Sequence, residues 1–140
     1  MNYSISEIAS ILGASTDSLY EPDAVVSRLL TDSRSLTFAS ETLFFALRTK
    51  NNDGHRYVDN LFQLGVRNFV VESTQGLPAD ANYIVTPNTL QALQQLAAYH
   101  RSRFNIPVIA ITGSRGKTCV KEWLHQLLAQ QFSFTIDIAV

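Results

Sequence analysis

Short apolar runs separated by segments of helical spacing constrain the fold of this 140-residue chain more than any other feature. Val25, Val26, Leu29 and Leu30 suggest extended chain, and Thr42-Leu43-Phe44-Phe45-Ala46-Leu47 is too short for a typical helix and rich in strand formers. Residues 66–71 and 82–85 read as two more strands. Around these runs the period changes. Ser4 to Glu7 has the S-x-x-E form of a capping box, and Ile5, Ile8, Ile11 and Leu12 then share one helical face up to a stop at Gly13. Tyr57, Val58, Leu61, Phe62 and Leu64 recur at helical spacing before Gly65. Asn88 opens a third helix, with Leu90, Leu93, Leu96 and Ala97 as its face, that runs to about Phe104. Strands alternating with helices predict an α/β domain with some parallel pairing, the strand order being left open.

The charge balance of 11 basic against 12 acidic residues marks no surface for nucleic acid or acidic lipid, so any anion site must be local. Cys119 is the only cysteine, which excludes an internal disulfide and a Cys-based zinc cluster. The N-terminus lacks the basic-then-apolar order of a leader, and no run reaches the roughly 18 apolar residues that span a bilayer. A cytoplasmic protein, not inserted in a membrane, is expected.

After Pro107 a different unit begins. Val108-Ile109-Ala110-Ile111 reads as a strand, residues 113–116 as a turn, and Lys117 to about Gln130 as a helix with Val120, Trp123, Leu124, Leu127 and Leu128 on one face. One strand, one loop and one helix do not make a sheet, even with residues 132–140 as a further strand. The chain therefore divides into a small α/β domain, residues 1–105, and residues 106–140. The latter are expected to be the first strand, phosphate loop and helix of a larger ATP-binding domain, cut short.

The order of residues in that second part carries chemistry. Successive backbone N–H groups in a strand-to-helix turn converge on one point, and the helix dipole adds partial positive charge there. In Thr112-Gly113-Ser114-Arg115-Gly116-Lys117-Thr118, the glycines allow close approach and positive φ, Lys117 can reach terminal phosphates, and the Thr118 hydroxyl is placed to ligate Mg²⁺. Ile111 stands where the standard G-x-x-x-x-G-K-[ST] pattern has glycine, so a Gly-rich turn carrying a lysine is the competing reading. Arg115 either reaches phosphate or is a solvated loop residue. Cys119 reads as a small core-facing residue, Trp123 as core packing, and His100 and His125 as helix-surface residues.

Thr-Gly-Ser-Arg-Gly-Lys-Thr followed by Cys-Val-Lys-Glu resembles the ATP loop of the Mur ligases, T-G-[ST]-x-G-K-[ST], which also lacks the first glycine. Upstream, Thr31-Asp32-Ser33-Arg34, then Leu43-Phe44-Phe45-Ala46-Leu47, then Asp53-Gly54-His55 resemble in order the N-terminal UDP-sugar-binding domain of those enzymes. The resemblance runs from Ile5 to about Leu128. Lys121, three residues after Thr118, is most similar to the branch that adds D-alanyl-D-alanine to a UDP-N-acetylmuramoyl-tripeptide, including versions fused to an alanine racemase. The preceding, tripeptide-forming branch is the alternative.

What this implies is an ATP- and Mg²⁺-dependent amide ligase of peptidoglycan synthesis. ATP phosphorylates the tripeptide carboxylate, and the amine of D-Ala-D-Ala displaces phosphate from the acyl phosphate. By the same resemblance, residues 112–118 hold ATP, Lys117 and Thr118 are catalytic, and Thr118 holds the metal. Thr31, Ser33, Arg34, the Phe45-Ala46-Leu47 backbone and His55 lie at the UDP end of the substrate. Read without it, Thr31 to Arg34 is also a polar turn closing a strand, and His55 also a helix cap. The family's further metal-binding groups and its third domain have no counterpart here, and Asp137 is a poor metal ligand. The chain on its own is thus expected to be an inactive, monomeric fragment; a stand-alone nucleotide- or UDP-sugar-binding module and an unrelated phosphotransferase are the other readings.

Overall fold

The serine before the first predicted helix caps it: in the computed structural model, which describes residues 2–17 and 19–131, Ser4 Oγ accepts the Glu7 amide at 3.1 Å. The helix, α1 (Ile5–Leu12), ends at Gly13 with φ 67°, where the glycine amide closes the last turn. Its buried side is Ile5, Ile8 and Ala9. Just before it, strand β1 (Tyr3–Ser4) pairs antiparallel with β2 (Val25–Val26), in the register Tyr3 to Val26.

Four more strands make one parallel sheet in sequence order, β3 (Arg28–Leu30), β4 (Thr42–Phe45), β5 (Asn68–Val71) and β6 (Asn82–Val85). Helix α2 (Val58–Gln63) lies between β4 and β5, and α3 (Thr89–Ser102) follows β6. Alternate residues of each strand point to opposite faces. Leu43, Phe45, Val70 and Ile84 pack with Ile5, Ile8, Ala92 and Leu96 of α1 and α3. Leu30, Phe44, Phe69 and Val71 pack with Val58 and Leu61 of α2. Because both faces are covered, the two central strands are buried along their whole length, which is why β4 and β5 read in the sequence as apolar runs. Each fully buried Phe contributes roughly 1.5–3 kcal/mol of transfer free energy.

The face of α3 differs from the one expected. Leu90 and Ala97 are exposed, whereas Thr89, Ala92 and Leu96 are buried and Leu93 is partly so. The helix is turned by about one residue because Thr89 points inward and donates its hydroxyl to the Ala46 carbonyl at 3.1 Å. His100, expected on the helix surface, is half-buried, with Nδ1 2.8 Å from the Tyr3 hydroxyl.

At the amino ends of β5 and β6 two buried asparagines stand side by side. Asn82 Nδ2 donates to Asn68 Oδ1 at 2.8 Å and to the Glu21 carbonyl at 3.0 Å, while Asn82 Oδ1 accepts the Glu21 amide at 2.7 Å. One amide group thus holds the segment before β2 onto the sheet. Asn82→Ala strands those partners and is expected to lower the unfolding free energy by about 2–3 kcal/mol. Urea denaturation measures it, and an unchanged midpoint would show that the segment is held by other contacts.

The chain divides into two compact units, Met1–Phe104 and Asn105–Val140. In the second, α4 (Lys117–Leu128) forms as its spacing predicts. Val108-Ile109-Ala110-Ile111 pairs with no strand among the described residues. A β-branched run becomes a strand only when a second strand takes up its backbone groups, and no described residue does so here. Residues 132–140, read as a further strand, and Asp137 lie outside the described residues.

Candidate functional site

In parallel α/β sheets, ligands meet the carboxyl ends of the strands. Here that edge carries Thr31 after β3, Ala46 to Arg48 after β4, and Glu72 after β5. Thr31, with Asp32, Ser35 and Thr37, lines a cavity of about 230 Å³ beside β3. Asp32 caps the 3₁₀ turn Ser33–Ser35 by accepting the Arg34 amide at 3.1 Å. The Arg34 guanidinium returns to the same carboxylate in a two-pronged pair, Nη2 to Oδ2 at 2.7 Å and Nε to Oδ1 at 3.0 Å. The Arg34 hydrogen bonds hold the Asp32 carboxyl down at about 2. Ser33 and Arg34 do not line the cavity; the Arg34 side chain is 86% exposed, open to an anion on the side away from Asp32.

The segments Phe45-Ala46-Leu47 and Asp53-Gly54-His55, separate in sequence, come together. Leu47 turns its amide back to the Phe45 carbonyl at 2.8 Å, and the Gly54 amide donates to the Leu47 carbonyl at 2.8 Å. Gly54 sits so close to this backbone that a Cβ there would lie 2.7 Å from both Ala46 C and Leu47 N. Only glycine fits. Asp53 caps the 3₁₀ turn Gly54–Tyr57. Its Oδ1 accepts the His55 amide at 3.0 Å and lies 2.7 Å from His55 Nδ1, and its Oδ2 accepts from Arg48 Nη2 at 2.9 Å. These hydrogen bonds, the His55 amide first, hold Asp53 at about 2 against a raising effect of burial.

Sequence reasoning missed Arg48 and Glu72. Arg48 also reaches the Glu72 carboxylate at 3.0 Å, and the Glu72 amide donates to His55 Nε2 at 2.9 Å. No spacing rule joins residues on different strands. The only available hint was that each follows an apolar run at what proves to be a carboxyl end.

In the other unit, Gly113 (φ 149°) and Gly116 (φ 78°) adopt positive φ, the region that favours glycine. Gly116 immediately precedes α4, and no side chain caps the helix start. A Cβ on Gly116 would meet nothing within 4 Å, so the space there is open. Lys117 folds back, its Nζ donating to the Gly113 carbonyl at 2.6 Å. Thr112, Ser114, Arg115 and Thr118 are all exposed. This arrangement of open turn, uncapped helix start and ammonium fits a phosphate group. Thr118 offers one hydroxyl, and the described residues include no group of three or more His, Cys, Asp or Glu able to hold a metal. A Mg²⁺ beside Thr118 would take its other ligands from phosphate oxygens and water. Cys119 and Trp123, read as core residues, are exposed, as is Leu127: the amphipathic spacing of α4 is real, but its apolar side is not buried.

No family model matches the chain. It is 38% identical over 109 residues to the UDP-N-acetylmuramoyl-tripeptide--D-alanyl-D-alanine ligase of Synechocystis, the match covering 77% of this chain and 24% of that protein. A structure of the corresponding Acinetobacter baumannii ligase, named as UDP-N-acetylmuramoylalanyl-D-glutamyl-2,6-diaminopimelate--D-alanyl-D-alanyl ligase, is 30% identical. It covers 94% of this chain and 29% of its own, with a TM-score of 0.79. A crystal structure of the MurF ligase of Thermotoga maritima in complex with ADP superposes with a TM-score of 0.62 at 25% identity, covering 76% of this chain and 24% of its own. The chain thus spans about a quarter of the length of the relatives it matches. The α/β fold with its parallel sheet and the sequence identity agree: over these residues the chain is similar, in sequence and in fold, to the amino-terminal part of the Mur ligases.

Proposed function

We propose that this chain supplies the UDP-substrate-binding unit, residues 1–105, and the opening of the ATP site, residues 106–140, of an ATP-dependent amide ligase. The reaction joins D-Ala-D-Ala to UDP-N-acetylmuramoyl-tripeptide in the cytoplasm, during peptidoglycan synthesis. The observation that carries this reading is the start of α4, where two positive-φ glycines, an uncapped helix end and Lys117 converge. The named activity of the Synechocystis relative and the ADP of the Thermotoga structure support it.

In this reading residues 112–118 wrap the phosphates, with backbone N–H groups taking up oxygens and the helix dipole favouring their charge. Lys117 leaves the Gly113 carbonyl and neutralises charge that builds as the terminal phosphoryl group moves to the tripeptide carboxylate. Thr118 holds Mg²⁺, which supplies further neutralisation of the phosphates when bound. Thr31, Ser33 and Arg34 bind the UDP end, together with the backbone of Phe45, Ala46 and Leu47. No helix among the described residues is long and apolar enough to cross a membrane.

Calorimetric titration of the chain with UDP and with Mg-ATP tests both halves. Arg34→Ala removes a charged donor and leaves the Asp32 carboxylate unopposed beside the diphosphate. UDP affinity is expected to fall about tenfold, as for loss of one hydrogen bond to a charged group. An unchanged dissociation constant would remove Arg34 from the site.

A further inference from the structure

The histidine at the carboxyl edge has both ring nitrogens engaged inside the protein. Its side chain is 16% exposed. The Glu72 amide lies 2.9 Å from Nε2, and a backbone N–H can only donate, so Nε2 carries no proton. The ring proton is therefore on Nδ1, 2.7 Å from Asp53 Oδ1, which accepts it. An imidazolium would set a second N–H against the Glu72 amide. Around the ring the charges also close up: Arg48 binds the Asp53 carboxylate at 2.9 Å and the Glu72 carboxylate at 3.0 Å. The start of the 48–53 loop, its end and the tip of β5 are thereby joined, and an isolated bridge between Arg48 and Asp53 closes the loop's neck.

We propose that His55 is a positioning residue, a neutral Nδ1–H imidazole that latches the 48–53 loop and the Gly54 turn to the end of β5 without touching the ligand. This rests on assigning that edge to the UDP end of the substrate. It changes the role expected of His55 from a direct contact to a support one step removed. The ring fixes Gly54 against the Ala46-Leu47 peptide, and so fixes the backbone groups that face UDP. A bound nucleotide leaves both ring hydrogen bonds as they are.

The test is a long-range proton–nitrogen NMR correlation on the nitrogen-labelled chain at neutral pH, with and without saturating UDP. The expected pattern is a protonated Nδ1 and a bare Nε2, unchanged by UDP. His55→Ala is expected to speed exchange of the Glu72 amide, and to weaken UDP binding, by about tenfold each. His55→Gln, whose side-chain carbonyl can accept from the Glu72 amide, recovers most of both losses; a merely space-filling ring would not be rescued this way. A proton on Nε2, a doubly protonated ring, a tautomer change on adding UDP, or unaltered Glu72 exchange in His55→Ala overturns the latch. If His55→Ala fails to fold, the tautomer and the His55→Gln variant decide. A wild-type chain with the expected tautomer but no UDP binding overturns the assignment of the edge, and with it the positioning role, leaving a latch that serves the fold alone.

Discussion

Lys117→Ala, in this chain joined to the rest of the length of one of its relatives, is expected to lower the proposed ligase turnover by about 10³-fold and to leave UDP affinity within about threefold. The size follows from where the charge sits. Phosphoryl transfer leaves the protein little covalent work, so in the proposed reaction the rate rests on groups that neutralise charge on the moving phosphoryl, the role proposed for the Lys117 ammonium. Lys117 Nζ is bonded to the Gly113 carbonyl, so alanine also frees an acceptor beside the proposed phosphate site. Steady-state phosphate release, beside calorimetry with UDP, separates the two effects. Turnover within tenfold of the parent would show that the α4 start and the metal carry the phosphates without the lysine.

Gly54→Ala is expected to destabilise the first unit by about 2–3 kcal/mol, at the upper end of the usual overpacking cost. The added methyl meets backbone rather than a side chain, at 2.7 Å from Ala46 C and Leu47 N. A side chain could rotate away; a peptide that follows directly from β4 and whose Ala46 amide bonds Val70 cannot move without breaking the ladder. The strain falls on the same backbone that is proposed to face UDP, so affinity declines along with the urea midpoint. A midpoint change equivalent to less than about 0.5 kcal/mol would show that the Gly54 turn gives way at little cost.

These two sites also show what a sequence can and cannot reveal. The strands were legible because burial on both faces leaves an unbroken apolar run, and α1 because Ser4, Glu7 and Gly13 are local signals that the backbone uses directly. The positive φ of Gly113 and Gly116 was legible for the same reason, since it depends only on neighbours in the chain. Thr89 was not: a polar residue at a helix start reads as exposed, and only the Ala46 carbonyl, 43 positions away, turns it inward. Val108 to Ile111 shows the opposite case. Composition is local and strand formation is not, so the apolar run reads as a strand while no ladder for it lies among the described residues. The ring formed by Arg48, Asp53, His55 and Glu72 was invisible because parallel strands bring together residues that no short-range pattern connects.

The contacts that tie the first residues of the first unit to α3 bear on how that unit is made. Tyr3 and His100 meet, and Gln95 holds the Ile11 carbonyl at 2.7 Å, so the opening helix rests on the last one. A chain emerging in order from a ribosome can lay its parallel strands one beside the next as they appear. The sheet surface bearing Phe45 and Ile84 nevertheless stays only partly roofed until α3 has emerged, because its second shelter is that helix, the last of the first unit. The nascent unit therefore passes through a half-covered stage in which exposed phenylalanine and isoleucine are the groups a chaperone would meet.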